Sequence, residues 1–366
     1  MKILFITEFF PFSEKGEMRG GVEARAYYLA KNLVKLGHEV YVITSWEKGL
    51  KKEDYFSGIR VYRVGKVNYS QSGSVLQRFK FMRGAYKKAV SLGIGFDIVD
   101  GYNFTSYLPA YYAAKKMNAK SVATYHEVWA GQWLKKFGLY GLSGEIGERI
   151  VLAKKWDLFI AVSENTKKDL IKAGIKKPIK VVYNGIDLNE FNFNVKKDNS
   201  IICVARLVKN KRIDLLINAF KIIKKDYPEI KLKIIGVGPE EKNLKELAGN
   251  DKNIKFFGFV KNKKDVLKEI KKSRLFVLPS EQEGFGIATI EAVACNVPYI
   301  ASDINVIKEV TENGKGGLLF KNGNYADLAE KIKSVLHGKY NKQGKELLKK
   351  YNWKDLAKKL EEDYKR

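Results

Sequence analysis

The stretch "PSEQEGFGIATIEAVACNVPYIAS" (279–302) sets two glutamates, Glu283 and Glu291, around a glycine loop. The loop Gly284-Phe285-Gly286-Ile287 follows the apolar run "RLFVLPS" (274–280) and leads into a helix-compatible segment that ends near Asn296. Strand, glycine loop and helix in that order gather unpaired backbone N–H groups and the positive end of a helix dipole, which suits an anion such as phosphate. The glutamates suit something else. An ionised carboxylate only accepts hydrogen bonds, so it fits the paired hydroxyls of a sugar or a ribose. The simpler reading makes Glu283 a residue favoured at a helix start and Glu291 a surface residue. Against this, Glu291 sits in "ATIEAVA", where a buried carboxylate without a partner is costly.

Three further groups could serve the same chemistry. In "VARLVKNKR" (204–212), Arg206 leaves the end of a strand and Lys211 precedes a helix. A forked guanidinium and a point-charge ammonium together neutralise a diphosphate, although a basic turn is also ordinary in so basic a chain. Gly20-Gly21, in "RGGVEARAYYLAKNL", opens a helix after the first strand and offers a second close backbone approach or a simple helix-entry turn. His126, in "ATYHEVWAG", stands at the carboxyl end of a strand, where the sites of α/β proteins lie. The other two histidines, His38 before a strand and His337 at a helix end, read as structural.

These residues need a frame of parallel strands. Short β-branched runs alternate with helical patterns, the signature of parallel α/β units. Strands are expected at 2–7, 39–44, 59–64, 97–100, 120–125, 158–163 and 179–183, then at 200–205, 231–237, 254–259, 275–280 and 298–302. Helices are expected between them, including 22–36, 83–92, 164–173, 211–226, 240–248, 262–272 and 325–336. The opening "MKILFIT", helix, "HEVYVIT" has a counterpart in "NSIICVARL", helix, "KLKIIGVGP". The polar segment 191–200 reads as a linker. The fold class is therefore α/β, with two doubly wound domains facing each other across a ligand cleft at the carboxyl ends of their strands.

The chain has 366 residues, 45% hydrophobic and 12% aromatic, enough for full cores. It has no apolar run of about 18 residues for a membrane span. The opening segment reads as a strand and not a signal peptide, because Thr7 and Glu8 interrupt it. Two cysteines, Cys203 and Cys295, exclude a disulfide framework or a zinc site by count and suit a reduced cytoplasmic setting. The net charge of +27, from 68 basic and 41 acidic residues, favours polyanions, phosphorylated small molecules or an anionic membrane surface. Solvated lysine-rich helix faces account for much of it. Trp129, Trp133 and Phe137 recur every four residues beside basic residues. They are expected to line one helix face, either packed in a core or docked, peripherally, on an anionic membrane.

Together these stretches resemble a retaining, nucleotide-sugar-dependent glycosyltransferase of the GT-B type, glycosyltransferase family 4, nearly end to end. "EGFGIATIE" resembles that family's acidic pair around GFG, "ARLVKNK" its Arg-x4-Lys motif, "VVYNGID" (181–187) its Asn-Gly-Ile/Val-Asp segment and "RGGVE" (19–23) its first glycine loop. "AVSE" (161–164) and "YHE" (125–127) match weaker positions. The resemblance implies two Rossmann-like domains, 1–186 on the acceptor side with a returning helix 347–366, and 187–346 binding the donor. It implies that Arg206 and Lys211 hold the donor diphosphate. Glu283 would contact the sugar, Glu291 the ribose, and the backbone of Gly284, Phe285, Gly286 and Ile287 both sugar and phosphate. Gly20, Gly21 and Asn184 would approach the donor, and His126 would bond the transferring sugar. Glu127, Ala205, Arg212 and Asn296 depart from the family pattern, the last being able to take a left-handed turn in place of glycine.

The activity that the resemblance implies is retaining transfer of a hexosyl group from a UDP- or GDP-sugar to a glycan, lipid-linked or small-molecule acceptor. No Asp-x-Asp motif occurs, so no divalent metal and no cofactor is expected, and nucleic acid is not an expected partner. A GT-B-type sugar-nucleotide epimerase and a non-enzymatic polyanion binder remain as alternatives; a phosphorylase would need a cofactor-lysine segment that is not seen.

Overall fold

The computed structural model describes residues 1–14, 18, 20–65 and 75–366. The chain forms two compact units, one of residues 1–184 with 353–366 and one of residues 185–352. Each is built on its own sheet. In chain order the strands of the first unit are β1 (Lys2–Ile6), β2 (Glu39–Ser45), β3 (Glu53–Phe56), β4 (Ile59–Val64), β5 (Ile98–Gly101), β6 (Lys120–Tyr125), β7 (Leu158–Ala161) and β8 (Ile179–Val181). Those of the second unit are β9 (Ser200–Val204), β10 (Lys231–Ile235), β11 (Ile254–Gly258), β12 (Leu275–Leu278), β13 (Tyr299–Ser302) and β14 (Gly317–Phe320). The helices are α1 (Gly21–Lys35), α2 (Val75–Ser91), α3 (Phe104–Met117), α4 (Trp133–Phe137), α5 (Leu142–Leu152), α6 (Glu164–Lys172), α7 (Ile213–Asp226), α8 (Glu241–Ala248), α9 (Lys263–Lys272), α10 (Ile287–Ala294), α11 (Asn305–Val310), α12 (Tyr325–Leu336) and α13 (Trp353–Lys365).

The first sheet has the order β3-β4-β2-β1-β5-β6-β7-β8, parallel but for β3, and the second the order β11-β10-β9-β12-β13-β14, parallel throughout. Parallel strands buried on both faces read as continuous apolar runs, as "ILFI" and "FVL" do. In the first unit Phe81, Ala85, Tyr107 and Ala110 from α2 and α3 cover one face. Leu29 and Leu33 of α1, with Leu356 and Leu360 of α13, cover the other. In the second unit Leu216, Phe220 and Ile223 of α7 and Ile332 of α12 pack on a core centred on Ile201, Leu232 and Val277. In each sheet the strand order reverses once, between β1 and β5 and between β9 and β12. Crevices that bind ligands in such folds open at the carboxyl ends of those strands.

Most expected elements are present within a few residues, and the exceptions have local causes. Helix α2 starts at Val75, earlier than expected, and α3, between β5 and β6 where a helix is expected, carries Pro109 inside it. The Asn103–Ser106 capping box closes its first turn. β14 is short and begins with Gly317, directly after Gly316 at φ +86°. The tryptophan stripe does not form. Helix α4 begins only at Trp133, so Trp129 lies outside it, and Trp129 Nε1 donates to Glu127 at 2.9 Å; the Phe137 side chain lies outside the described residues. The segment 191–200 runs within the second unit, where Asp198 is ion-paired with Lys233.

One buried group couples the first sheet to the last helix. Asp100 of β5 is fully enclosed, accepting from Thr124 Oγ1 at 2.9 Å and from Tyr364 Oη at 2.6 Å. Burial pushes its carboxyl pKa up to about 7, against the opposing pull of Tyr364, Thr124 and Arg25. The fold therefore keeps a proton that the unfolded chain releases near 3.8, so stability falls as pH rises from that value toward 7 and is constant above it. Asp100→Asn removes this slope. Its melting temperature is expected to gain roughly several degrees on the wild type between pH 5 and pH 8. Parallel curves across that range would show that Asp100 is ionised in the fold.

Candidate active site

The loops after β9 and β12, which flank the switch point of the second sheet, carry Arg206, Lys211 and Glu283. They are knitted together, since the Glu281 amide donates to the Asn210 carbonyl at 2.9 Å. Lys211 Nζ lies 2.6 Å from Glu283 Oε1, with both side chains only 13% and 10% exposed. Arg206 is exposed and has no ion-pair partner among the described residues. Its loop also lies against 235–240, with Ala205 and Leu207 donating to Ile235 and Val237 and Glu240 donating to Leu207. That approach needs Gly236 and Gly238. A Cβ on either would stand 1.9 Å from the Ala205 oxygen or 2.2 Å from the Leu207 oxygen. The sequence signal for these two residues is "IIGVGP", a glycine pair at a strand end, which the motifs above do not include.

Gly286 caps α10 with a left-handed backbone, φ +80°, and no side chain makes a capping hydrogen bond there. A helix leaves its first-turn N–H groups without i−4 acceptors; here the Thr289 amide turns back to the Gly286 carbonyl at 3.0 Å, and Gly286 stands beside the Glu283 side chain. Phe285 is buried and meets the Tyr351 ring edge-on at 5.5 Å, which anchors the loop to the unit's own core. Glu291 lies on the fifth residue of α10, 3.4 Å from Lys263 Nζ, and Lys263 also contacts Glu190 at 3.0 Å. Burial raises the Glu291 pKa, with Lys263 opposing it and Glu190, a second claimant on the same ammonium, adding to it. Burial also pulls Lys263 down, but its two carboxylates outweigh this and raise it. Lys263 and Glu190 were not found from the sequence, because "KNKKDVLKEI" is indistinguishable from a solvated lysine face.

In the first unit His126 follows β6, and its Nε2 is buried with no partner among the described residues. Burial, and then the Arg25 guanidinium, lower its pKa to about 3, so the imidazole is neutral and can give or take one hydrogen bond. Gly20 precedes α1 in extended backbone, φ −173°, which any residue adopts, and Gly21 is the first helical residue. Asn184 lies at the end of this unit and not among the donor-loop residues. Its carboxamide oxygen accepts from Arg25 Nη1 at 3.0 Å, and the same nitrogen bonds the Val182 and Tyr183 carbonyls at 2.8 Å. Near β1, Glu8 accepts from Thr105 Oγ1 at 2.7 Å and Asn103 Nδ2 at 3.2 Å, tying the loops after β1 and β5.

The second unit thus presents two cations, an uncapped helix start and two carboxylates, an arrangement for an anion joined to a polyhydroxyl group. Gly286→Ala tests the turn. The left-handed backbone costs a non-glycine residue roughly 1–2 kcal/mol, and the new Cβ would meet Ile307 Cδ1 at 2.4 Å. The variant is expected to melt several degrees lower and to bind inorganic pyrophosphate more weakly. Unchanged binding would place the anion elsewhere.

Comparisons with known proteins identify the family. The family model described as glycosyl transferases group 1 matches residues 186–355, and that described as glycosyltransferase family 4 matches residues 19–190. An uncharacterized glycosyltransferase of Methanocaldococcus jannaschii is 27% identical over 360 residues, spanning 92% of this chain and 89% of that protein. The alpha-monoglucosyldiacylglycerol synthase of Acholeplasma laidlawii is 29% identical over 348 residues, spanning 88% and 85%. Among solved structures, sucrose-phosphate synthase of Thermosynechococcus elongatus has a TM-score of 0.80 at 18% identity, covering 100% of this chain and 98% of that one. HepE of Anabaena, solved with UDP and glucose, has a TM-score of 0.76 at 19% identity, with 99% of each chain covered. The chain belongs to the GT-B glycosyltransferases of the family 4 type.

Proposed function

We propose that the protein transfers a hexosyl group from a nucleoside diphosphate sugar, UDP- or GDP-linked, with retained anomeric configuration and without a divalent metal. The observation that carries this reading is the convergence of Arg206, the Lys211–Glu283 pair and the open start of α10 on the switch point of one sheet. HepE, which shares the fold, has been solved in complex with UDP and glucose, and a diphosphate joined to a sugar is what this group of side chains suits.

The residues divide the donor between them. Arg206 and Lys211 take the diphosphate, with the first-turn amides of α10 beside them. Glu283 accepts from sugar hydroxyls and Glu291 from the ribose. On the first unit, the neutral imidazole of His126 offers one hydrogen bond that suits a sugar hydroxyl. The C1–O bond to the diphosphate breaks while the acceptor oxygen bonds C1 from the same face, and the departing phosphate oxygen takes the acceptor proton. Preorganised charges at the leaving group supply the main catalytic effect, which leaves no step that needs a metal. The acceptor is a glycan, a lipid-linked sugar or a small molecule.

Calorimetric titration of UDP and of GDP, each with excess EDTA, on the wild type and on Arg206→Ala is the test. Loss of a charged hydrogen-bond donor is expected to weaken binding of the matching nucleotide by roughly 1.5–3 kcal/mol. Binding that requires added Mg²⁺, or that Arg206→Ala leaves intact, would overturn the assignment. Binding of neither nucleotide would favour a polyanion binder.

A further inference from the structure

Helix α5 is built inside out. Its two carboxylates, Glu145 and Glu148, face the interior together with Val151 and Leu152. Glu148 accepts from Trp133 Nε1 at 2.6 Å and from the Trp129 amide at 3.2 Å, and Glu145 accepts from the Gly131 amide at 2.8 Å. These bonds hold the loop that follows His126. Beside the exposed Ser143 and Arg149, the latter ion-paired with Glu145 at 2.6 Å, α5 turns Leu142, Ile146 and Ile150 to solvent, spaced so that they share one helix face. Leu134 and Leu139, the latter 88% exposed, lie on the segment leading into it. A helix bathed in water has the reverse arrangement.

A second helix on the same side of the sheet repeats the theme. Helices α2, α3 and α5 all pack into one core on that face, and α3 contacts both of the others. Leu76 and Phe79 of α2 are 63% and 62% exposed. Around them Arg78, Lys80, Arg83 and Lys87 are exposed, with no ion-pair partner among the described residues. From residue 55 to residue 96 the sequence contains no aspartate or glutamate. The starts of α2 and α4 follow β4 and β6, whose carboxyl ends share one edge of the sheet, the edge that also carries His126.

We infer that this face docks on an anionic lipid bilayer. The apolar side chains project from helix surfaces and a turn, placed to insert between acyl chains, and the arginines and lysines around Leu76 and Phe79 complement anionic headgroups while their stems follow the apolar surface. Trp129 and Trp133, bonded inward to glutamates, take no part. The inference concerns this surface alone, so its failure leaves the proposed reaction standing.

Flotation of the full chain with phosphatidylcholine vesicles, with and without phosphatidylglycerol, tests it. Binding is expected only with phosphatidylglycerol and is expected to weaken with salt. At about fivefold per cation, Arg78→Gln combined with Lys80→Gln and Arg83→Gln should weaken it on the order of 100-fold. Ile146→Ser with Ile150→Ser should weaken it severalfold; both sites are exposed, so unchanged circular dichroism and unchanged pyrophosphate binding would show that the fold is intact. No binding, equal binding to neutral vesicles, or indifference to the isoleucine pair would each overturn the inference. Indifference combined with heparin binding would point to a water-borne polyanion. Loss of self-association in the isoleucine variant, without loss of vesicle binding, would assign the face to a second copy of the chain.

Discussion

A carboxylate withdrawn from water must find donors that replace its hydration, or it is held protonated at a cost in stability. That requirement organises the carboxyl edges of both sheets. Glu283 is met by Lys211 and Glu291 by Lys263. Glu8 is met by Thr105 and Asn103, Glu148 by the Trp133 indole and the Trp129 amide. In each case the donor comes from a different loop or helix, so satisfying the carboxylate also ties two connections together. The loops that carry the candidate chemistry are in this way fixed to one another by the groups that would do it.

The backbone makes these ties reachable. Gly286 reverses the chain between β12 and α10, which lets the helix start adjoin Glu283. Gly236 and Gly238 let the β10 loop lie directly on the Arg206 loop, where a methyl group would collide with carbonyl oxygens. The first of these was legible in the sequence because the loop stands between two recognisable elements and is followed by a glutamate in an apolar helix. The other two were not, because a glycine's need for space comes from a neighbouring strand far away in sequence.

The same distinction separates what else could be read. Strand positions follow from apolar runs that are local, and Asn296 was identified as a left-handed residue and has φ +56°. Lys263 was invisible, since its meaning depends on Glu190 and Glu291 arriving from two other segments. The tryptophans at 129 and 133 were misplaced for the opposite reason. Their four-residue spacing suggested a helix face, but Glu127 and Glu148 capture their N–H groups and the helix starts too late to include both. Periodicity reports a helix only where nothing stronger claims the side chains.

On the proposed reading, the Lys211–Glu283 pair is more than structural. A lysine already held by a carboxylate has given up rotamer freedom worth roughly 1.5–2 kcal/mol before any ligand arrives, so its charge meets a diphosphate at little further entropic cost. Glu283 also accepts from the sugar, which makes one carboxylate the link between the two ends of the donor. As negative charge grows on the departing diphosphate, the attraction of Lys211 toward it rises and its hold on Glu283 loosens. The carboxylate is then freer to accept from the sugar as positive charge develops at C1. Arg206, with no ion-pair partner among the described residues, lacks this coupling and serves binding and charge neutralisation alone. The two cations of one motif are therefore unequal in kind, because only one of them shares its counter-charge with the substrate.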